Sequence, residues 1–235
     1  GLLDDKYNIP GIQKYFYQLL TVLGITIYTT KFSNGFIGQY VDENPYFYLI
    51  LIFLGTAIIN IINFMDGIDG LIAGSSIIIF LTIFTNELIY ISAFIIPLLV
   101  FLYFNWYPSK LFMGDSGSLF IGSYLLSLIY SSSNTEGALK IIFLCFPLLI
   151  DSTICLIRRL INKQNIFRPH KLHLYQRLVS NGLSHSLVSS LYIFMTFLLS
   201  ILYFFSNLKY MVICNIFILI FGIYLDKKYA KNFNS

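Results

Sequence analysis

Apolar residues in this chain come in long runs separated by short polar stretches, rather than alternating with polar residues at a helix or strand period. The run "YFYLILIFLGTAIINII", at 46–62, shows the pattern at its clearest. About 20 helical residues of this kind cross the hydrocarbon core of a bilayer. Counting such runs predicts eight spans, at roughly 12–30, 46–62, 71–86, 88–104, 117–131, 138–157, 186–206 and 209–225. The third and fifth are short, which suits helices tilted against neighbours or partly interfacial. No internal repeat, low-complexity tract or linker divides the chain. The expected architecture is a single all-α domain over residues 1–235, a polytopic membrane helix bundle of eight transmembrane helices.

Composition sharpens this and excludes a soluble protein: of 235 residues, 57% are hydrophobic and only 11% charged, with mean hydropathy +0.76. The 18% aromatic share, alongside abundant Ile, Asn, Lys and Tyr, resembles a coding bias, so single Phe or Tyr residues are not read as sites. Cys145, Cys155 and Cys214 all lie in apolar runs, where a thiol acts as a small buried hydrophobe, and their spacing suggests neither a disulfide nor a metal site. The sequence opens on Gly1 with no initiator Met or signal-peptide pattern, so residues ahead of it are expected.

Charge sets the orientation. With the Asp4/Asp5 end inside, eight crossings place twelve of the fifteen basic residues on the cytoplasmic side, leaving Lys31, Lys140 and Lys209 outside. The same parity brings "GLLDDK" (1–6), "NFMDGIDG" (63–70), "FNWYPSKLFMGDSGS" (104–118) and the basic stretch 158–178 to the inner face. The outer loops carry nothing comparable, so chemistry is expected at the inner surface.

Asp4, Asp5, Asp66, Asp69 and Asp115 then gather at helix ends on one side. A single Asp there is as well explained by helix capping. Five carboxylates repel one another and are costly at that depth unless paired or bound to a cation. A hard divalent ion resolves this, and Mg²⁺ suits best because it shares one or two carboxylates with substrate phosphates. Glycines in "MDGIDG" and "MGDSGS" let backbone approach a ligand, and Gly117 and Ser118 open a span whose free N–H groups can receive an anion. A Gly-Asp-x-Gly turn alone is weak evidence.

The loop "RPHKLHLYQR" interleaves His170, His173, Tyr175, Gln176 and Arg177. The His pair has no third nitrogen or sulfur ligand nearby in sequence, and Mg²⁺ does not favour imidazole, so a metal role gives way to binding of a diphosphate or nucleotide. His185 reads as structural or interfacial. Asp151, a carboxylate well inside an expected span, follows Pro147 and marks either a helix break or a partner of Arg158 or Arg159. Together these features suggest phosphoryl chemistry between a water-soluble diphosphate donor and a lipid acceptor.

In this order, "GLLDDK", "NIINFMDGIDGLIAG", "FNWYPSKLFMGDSGSLFIG" and "RPHKLHLYQRL" resemble the motifs of the polyprenyl-phosphate N-acetylhexosamine-1-phosphate transferases, over residues 1 to about 185. "FMDGIDG" and "HKLHLYQRL" are most similar to the O-antigen-priming, glycosyltransferase family 4 branch. The phospho-MurNAc-pentapeptide translocase branch usually has three consecutive histidines, where this chain has His170, Lys171, Leu172, His173. The family also carries helices ahead of the double-Asp motif that this sequence lacks.

The resemblance implies that undecaprenyl phosphate attacks the β-phosphate of a UDP-N-acetylhexosamine, releasing UMP and priming a cell-surface glycan such as lipopolysaccharide O-antigen. It makes Asp115 the Mg²⁺ ligand, with Asn63 a second and Mn²⁺ a substitute. Asp4 and Asp5 would place or deprotonate the lipid phosphate. Asp66, Asp69, Asn105 and Phe112 would surround the uridine, with Asn60 and Lys110 further substrate-binding candidates. His170, His173 and Arg177 would face the diphosphate and sugar. The implied setting is a bacterial inner membrane with a cytoplasmic active site; the partners are both substrates and the lipid bilayer, a homodimer is allowed, and nucleic acid is not among them.

Two rivals outside this family differ in visible ways. A CDP-alcohol phosphatidyltransferase would need an Arg where Gly74 stands and a further aspartate pair. An ion-coupled transporter would show acidic residues at mid-span and two similar halves.

Overall fold

The computed structural model describes residues 11–31, 36–44, 46–85, 88–165, 170–205 and 207–233; among these every regular element is helical and none is a strand. Helices α1 (Gly11–Lys31), α2 (Phe36–Glu43) and α3 (Phe47–Phe64) are followed by α4 (Leu71–Ile83) and α5 (Leu88–Asn105), which contains a π turn at Ile91–Ile95. Next come α6 (Gly114–Tyr130), α7 (Thr135–Leu144), α8 (Phe146–Ile161), the short α9 (Leu174–Ser180), α10 (His185–Phe205) and α11 (Leu208–Tyr229).

Four of these, α3, α5, α10 and α11, are long and apolar enough to cross a membrane; α7 with α8 makes a fifth if the bent pair is one span. A helix stands at each of the other expected spans, but α4 has 13 residues and α6 has 17. At 1.5 Å per residue those lengths fall short of a core about 30 Å thick. The span expected over 138–157 is two helices meeting at Cys145 with a bend of 74°. Pro147 explains the break: it has no N–H to donate and its ring clashes with the carbonyl four residues earlier. The outer surface is what lipid requires. Phe205, Phe53 and Phe217 are 85%, 74% and 66% exposed, while Ser189, Thr196 and Asn215 on the same set of helices are buried. This is a multi-pass membrane protein.

The contacts fall into two interleaved units, Gly1–Asn63 with Met113–Ile142 and Phe64–Phe112 with Phe143–Ser235. The first is organised by an antiparallel pairing of α3 and α6 that runs in steps of one helical turn. Ser118 bonds Asn63, Gly122 lies on the backbone of Ile59, Leu126 meets Gly55, and Tyr130 donates to the Leu51 carbonyl at 2.6 Å. Each step of four along α6 is a step of four back along α3, which is how rows of i, i+4 side chains interlock. A Cβ at Gly122 would stand 3.1 Å from Ile59 Cα, so glycine is what lets the two backbones approach.

In the second unit α4 is buried on nearly every side, consistent with a sequence that has no polar face, its Ser75, Ser76 and Thr82 being buried with the apolar residues. Gly74 gives room to Ile193 of α10; a Cβ there would fall 2.3 Å from Ile193 Cδ1. Asp151 on α8, with its side chain 2% exposed, accepts from Leu174 N–H (2.8 Å), Tyr175 N–H (3.1 Å) and Tyr192 O–H (2.6 Å). It thereby caps α9 from a different helix and ties in α10. Asp226 of α11 is clasped by both Arg158 and Arg177, and the Phe233 ring lies 5.6 and 5.4 Å from the two guanidinium carbons.

Candidate active site

In the first unit, α6 begins with Gly114 at φ +62° and carries Asp115 in its first turn. Ser118, three residues on, shares that face. Its hydroxyl is fully buried and donates to Asn63 Oδ1 at 2.5 Å, with Gly114 O 2.9 Å away. Lys14 Nζ lies 3.2 Å from Asp115 Oδ2, with both side chains about one-third exposed, so the carboxylate keeps access to solvent. The side chains at this end of α6 thus offer oxygen donors, with Asp115 paired to Lys14 and Ser118, on the same face, bonded to Asn63. Such hard donors fit Mg²⁺ and do not attract softer metals. Asn60 donates its amide protons to Gln18 Oε1 (2.9 Å) and Thr56 O (2.8 Å), which fixes α3 against α1. Asp4 and Asp5 lie outside the described residues.

In the second unit, the loop after α3 is built around two glycines. A Cβ at Gly67 would lie 2.1 Å from the Tyr175 hydroxyl, which donates to Phe64 O at 2.8 Å. Gly70 sits at φ +76° with the Trp106 ring against it. Asn105, buried at the end of α5, accepts from Gly70 N–H (3.0 Å) and donates to Leu111 O (2.8 Å), stitching this loop to the next. Asp69 accepts from the Ser109 hydroxyl at Oδ1 (2.9 Å) and from the Ser109 N–H at Oδ2 (3.3 Å), and His185 Nδ1 is 3.4 Å from that Oδ2. Asp66 is partly exposed, and Lys110 and Phe112 project from the second loop, Phe112 at 75% exposure. The structure thus joins Asp69 and Asn105 in one network with three partners sequence reasoning missed: Ser109, Ser189, which donates to Asp69 O at 2.7 Å, and His185. His185, read as structural, contacts a candidate site carboxylate.

The histidine loop differs most from expectation. His173 is buried and its ring stacks on those of His170 and Tyr175, at centroid distances of 5.1 and 5.7 Å. His170 Nδ1 accepts from Leu172 N–H at 3.3 Å. Burial, Arg159 and His173, in that order, push the His170 pKa down to about 4, so its imidazole is neutral near pH 7. The third soft ligand that the sequence did not offer is present: Cys155 of α8 has its sulfur within 4.8 Å of a nitrogen of each histidine. Arg177, expected to face a diphosphate, is buried and donates to Leu172 O (3.1 Å), Lys231 O (2.8 Å) and Asp226. A guanidinium so engaged positions α9 rather than offering a fork to phosphate. Asp151, read as marking a helix break or as a partner of Arg158 or Arg159, caps α9, and Arg158 pairs with Asp226.

Residues 1–133 match the family model described as Glycosyl transferase family 4. The chain belongs to glycosyl transferase family 4. Its family 4 relatives include a probable undecaprenyl-phosphate N-acetylglucosaminyl 1-phosphate transferase of Bacillus subtilis, 37% identical over 201 residues, covering 79% of this chain and 56% of the relative. A decaprenyl-phosphate N-acetylglucosaminephosphotransferase of Mycobacterium tuberculosis is 29% identical over 221 residues, covering 79% and 55%. A phospho-N-acetylmuramoyl-pentapeptide-transferase of Dictyoglomus turgidum is 33% identical over 192 residues, covering 74% and 62%. This family 4 chain spans little more than half the length of these relatives.

Proposed function

We propose that the protein transfers an N-acetylhexosamine 1-phosphate from a UDP-sugar to undecaprenyl phosphate at the inner face of a bacterial plasma membrane. The observation that carries this reading is the start of α6 in a family 4 chain, where Asp115 pairs with Lys14 and Ser118 on the same face bonds Asn63. An oxygen of the lipid phosphate bonds to the β-phosphorus, the bond from that phosphorus to the bridging oxygen breaks, and UMP leaves with the oxygen. A phosphate monoester largely dianionic near pH 7 is already nucleophilic, so no strong base is required.

Asp115 and Asn63 would hold Mg²⁺, with Mn²⁺ a substitute; bound there, the ion supplies neutralisation of the diphosphate charge. Lys14 balances Asp115 and adds a fixed positive charge for developing anionic oxygens. Asp4 and Asp5 are proposed to position the lipid phosphate. Asp66, Lys110 and Phe112 contribute accessible groups toward the nucleotide, while Asp69 and Asn105 set the loops that carry them. The basic bias toward one side of the membrane supports the cytoplasmic assignment.

Phospho-MurNAc-pentapeptide transfer is the second reading, favoured by the Dictyoglomus relative and disfavoured by the spacing His170, Lys171, Leu172, His173. The test is UMP release by the full-length protein in detergent with Mg²⁺, over a panel of UDP-N-acetylhexosamines and UDP-MurNAc-pentapeptide, with and without undecaprenyl phosphate. Release that needs both a UDP-N-acetylhexosamine and the lipid supports the proposal. Release only with the pentapeptide donor supports the second reading, and release with neither overturns both.

A further inference from the structure

Cys155, His170 and His173 come from two places in the chain, α8 and the loop ahead of α9, yet bring one sulfur and two nitrogens within 4.8 Å of one another. His173 is 98% buried, and its Nδ1 makes no hydrogen bond in the structure. A polar atom so buried is costly to leave unsatisfied. Asp151 stands one helical turn before Cys155 on the same face of α8, and its Oδ1 is 3.7 Å from that Nδ1. A carboxylate behind a histidine is the usual outer partner of a metal-bound imidazole.

We propose that Cys155, with one imidazole nitrogen each from His170 and His173, forms a transition-metal site that takes Zn²⁺. A sulfur and two imidazoles select zinc-like ions over Mg²⁺, so this site differs in donor chemistry from the oxygen donors at Asp115. Zn–S and Zn–N bonds of about 2.3 and 2.0 Å place ligand atoms roughly 3.5 Å apart, so small side-chain rotations close the triad. As the sulfur–metal bond forms, the thiol proton leaves to solvent. Three protein ligands leave a fourth position open. Occupancy pins the histidine loop onto α8.

Co²⁺ is the probe, added to the full-length protein in detergent after chelator treatment and removal of the chelator. The expected result is a saturable thiolate-to-cobalt charge-transfer absorption that Zn²⁺ displaces and excess Mg²⁺ does not. The absorption should disappear in Cys155→Ser and persist in Cys145→Ser and Cys214→Ser. If Cys155→Ser does not fold, His170→Ala decides, since His170 is only half-buried in a loop. That variant should weaken Co²⁺ binding by more than the roughly 10–100-fold that loss of an outer partner costs. No charge-transfer absorption in the native protein, its survival in Cys155→Ser, its loss in Cys145→Ser or Cys214→Ser, or unchanged affinity in His170→Ala would each overturn the site. The readout is independent of transferase activity.

Discussion

Replacing Asp151 with Asn tests whether a single carboxylate holds the histidine loop to the membrane helices. Asp151 Oδ2 accepts two donors, Tyr175 N–H and Tyr192 O–H, and Oδ1 accepts Leu174 N–H. Asn retains the double acceptor by placing its amide nitrogen at Oδ1, where it opposes the Leu174 donor. That orphaned N–H costs about 1–3 kcal/mol, and the two remaining bonds fall from charged to neutral strength, about 1 kcal/mol each. The expected loss is about 3–5 kcal/mol. Unfolding in mixed micelles, followed through Trp106, reads it, since the chain has one tryptophan and this one lies in the same unit. Tyr192→Phe and the double variant complete a cycle whose coupling should reach about 1–2 kcal/mol, above the ~0.6 kcal/mol average for neutral-type bonds between membrane helices because the acceptor is charged. Asp151→Asn within about 0.5 kcal/mol of the native protein, the range of an ordinary surface substitution, would refute the reasoning.

Asp115→Asn should abolish UMP release while expression and detergent stability hold; chelation should do the same, with Mg²⁺ or Mn²⁺ restoring turnover. Near-normal activity in the variant removes the metal assignment. Gly122→Leu should cost at least the roughly 1–3 kcal/mol of an overpacked contact, because even a Cβ meets the Ile59 backbone at 3.1 Å; an unchanged melting temperature would contradict the α3–α6 register. Gly70→Ala should cost about 1–3 kcal/mol from its left-handed backbone and shift Trp106 emission, as the new methyl would lie 2.6 Å from that ring. Unchanged emission would argue against that packing.

The helical architecture was legible because apolar runs of span length have few other uses, and the helices begin and end close to where those runs do. α4 and α6 are the two expected spans already short in the sequence, and hydrophobicity alone does not separate a span from a short helix buried in a bundle. The bend between α7 and α8 was half-visible in Pro147. Asp115 and Asn63 stood out because motifs 50 residues apart were matched in order, and the structure adds that Ser118, one turn on from Asp115, bonds Asn63. What the sequence hid are partners fixed only by tertiary packing. Cys155 looked like one more apolar filler, Arg177 like a phosphate fork, and Asp151 like a helix break or a match for its neighbours on α8. Each is defined by residues elsewhere in the chain, and no local pattern encodes that choice.

The clasp on Asp226 has a consequence for how the protein is made. Arg158 and Arg177 emerge from the ribosome well ahead of α11, yet their shared counter-charge lies near that helix's end. Until α11 inserts, two guanidinium groups have to stay in water or among lipid phosphates, and Arg177 cannot take up its buried position without a heavy desolvation cost. By contrast, Thr26, Thr56 and Thr196 return their hydroxyls to carbonyls four residues back and are satisfied as soon as their own helices form. Biogenesis is therefore staged: α3 and α10 can enter the bilayer one at a time with such hydroxyls already paired, whereas Arg177 meets its counter-charge only when α11 delivers its aspartate.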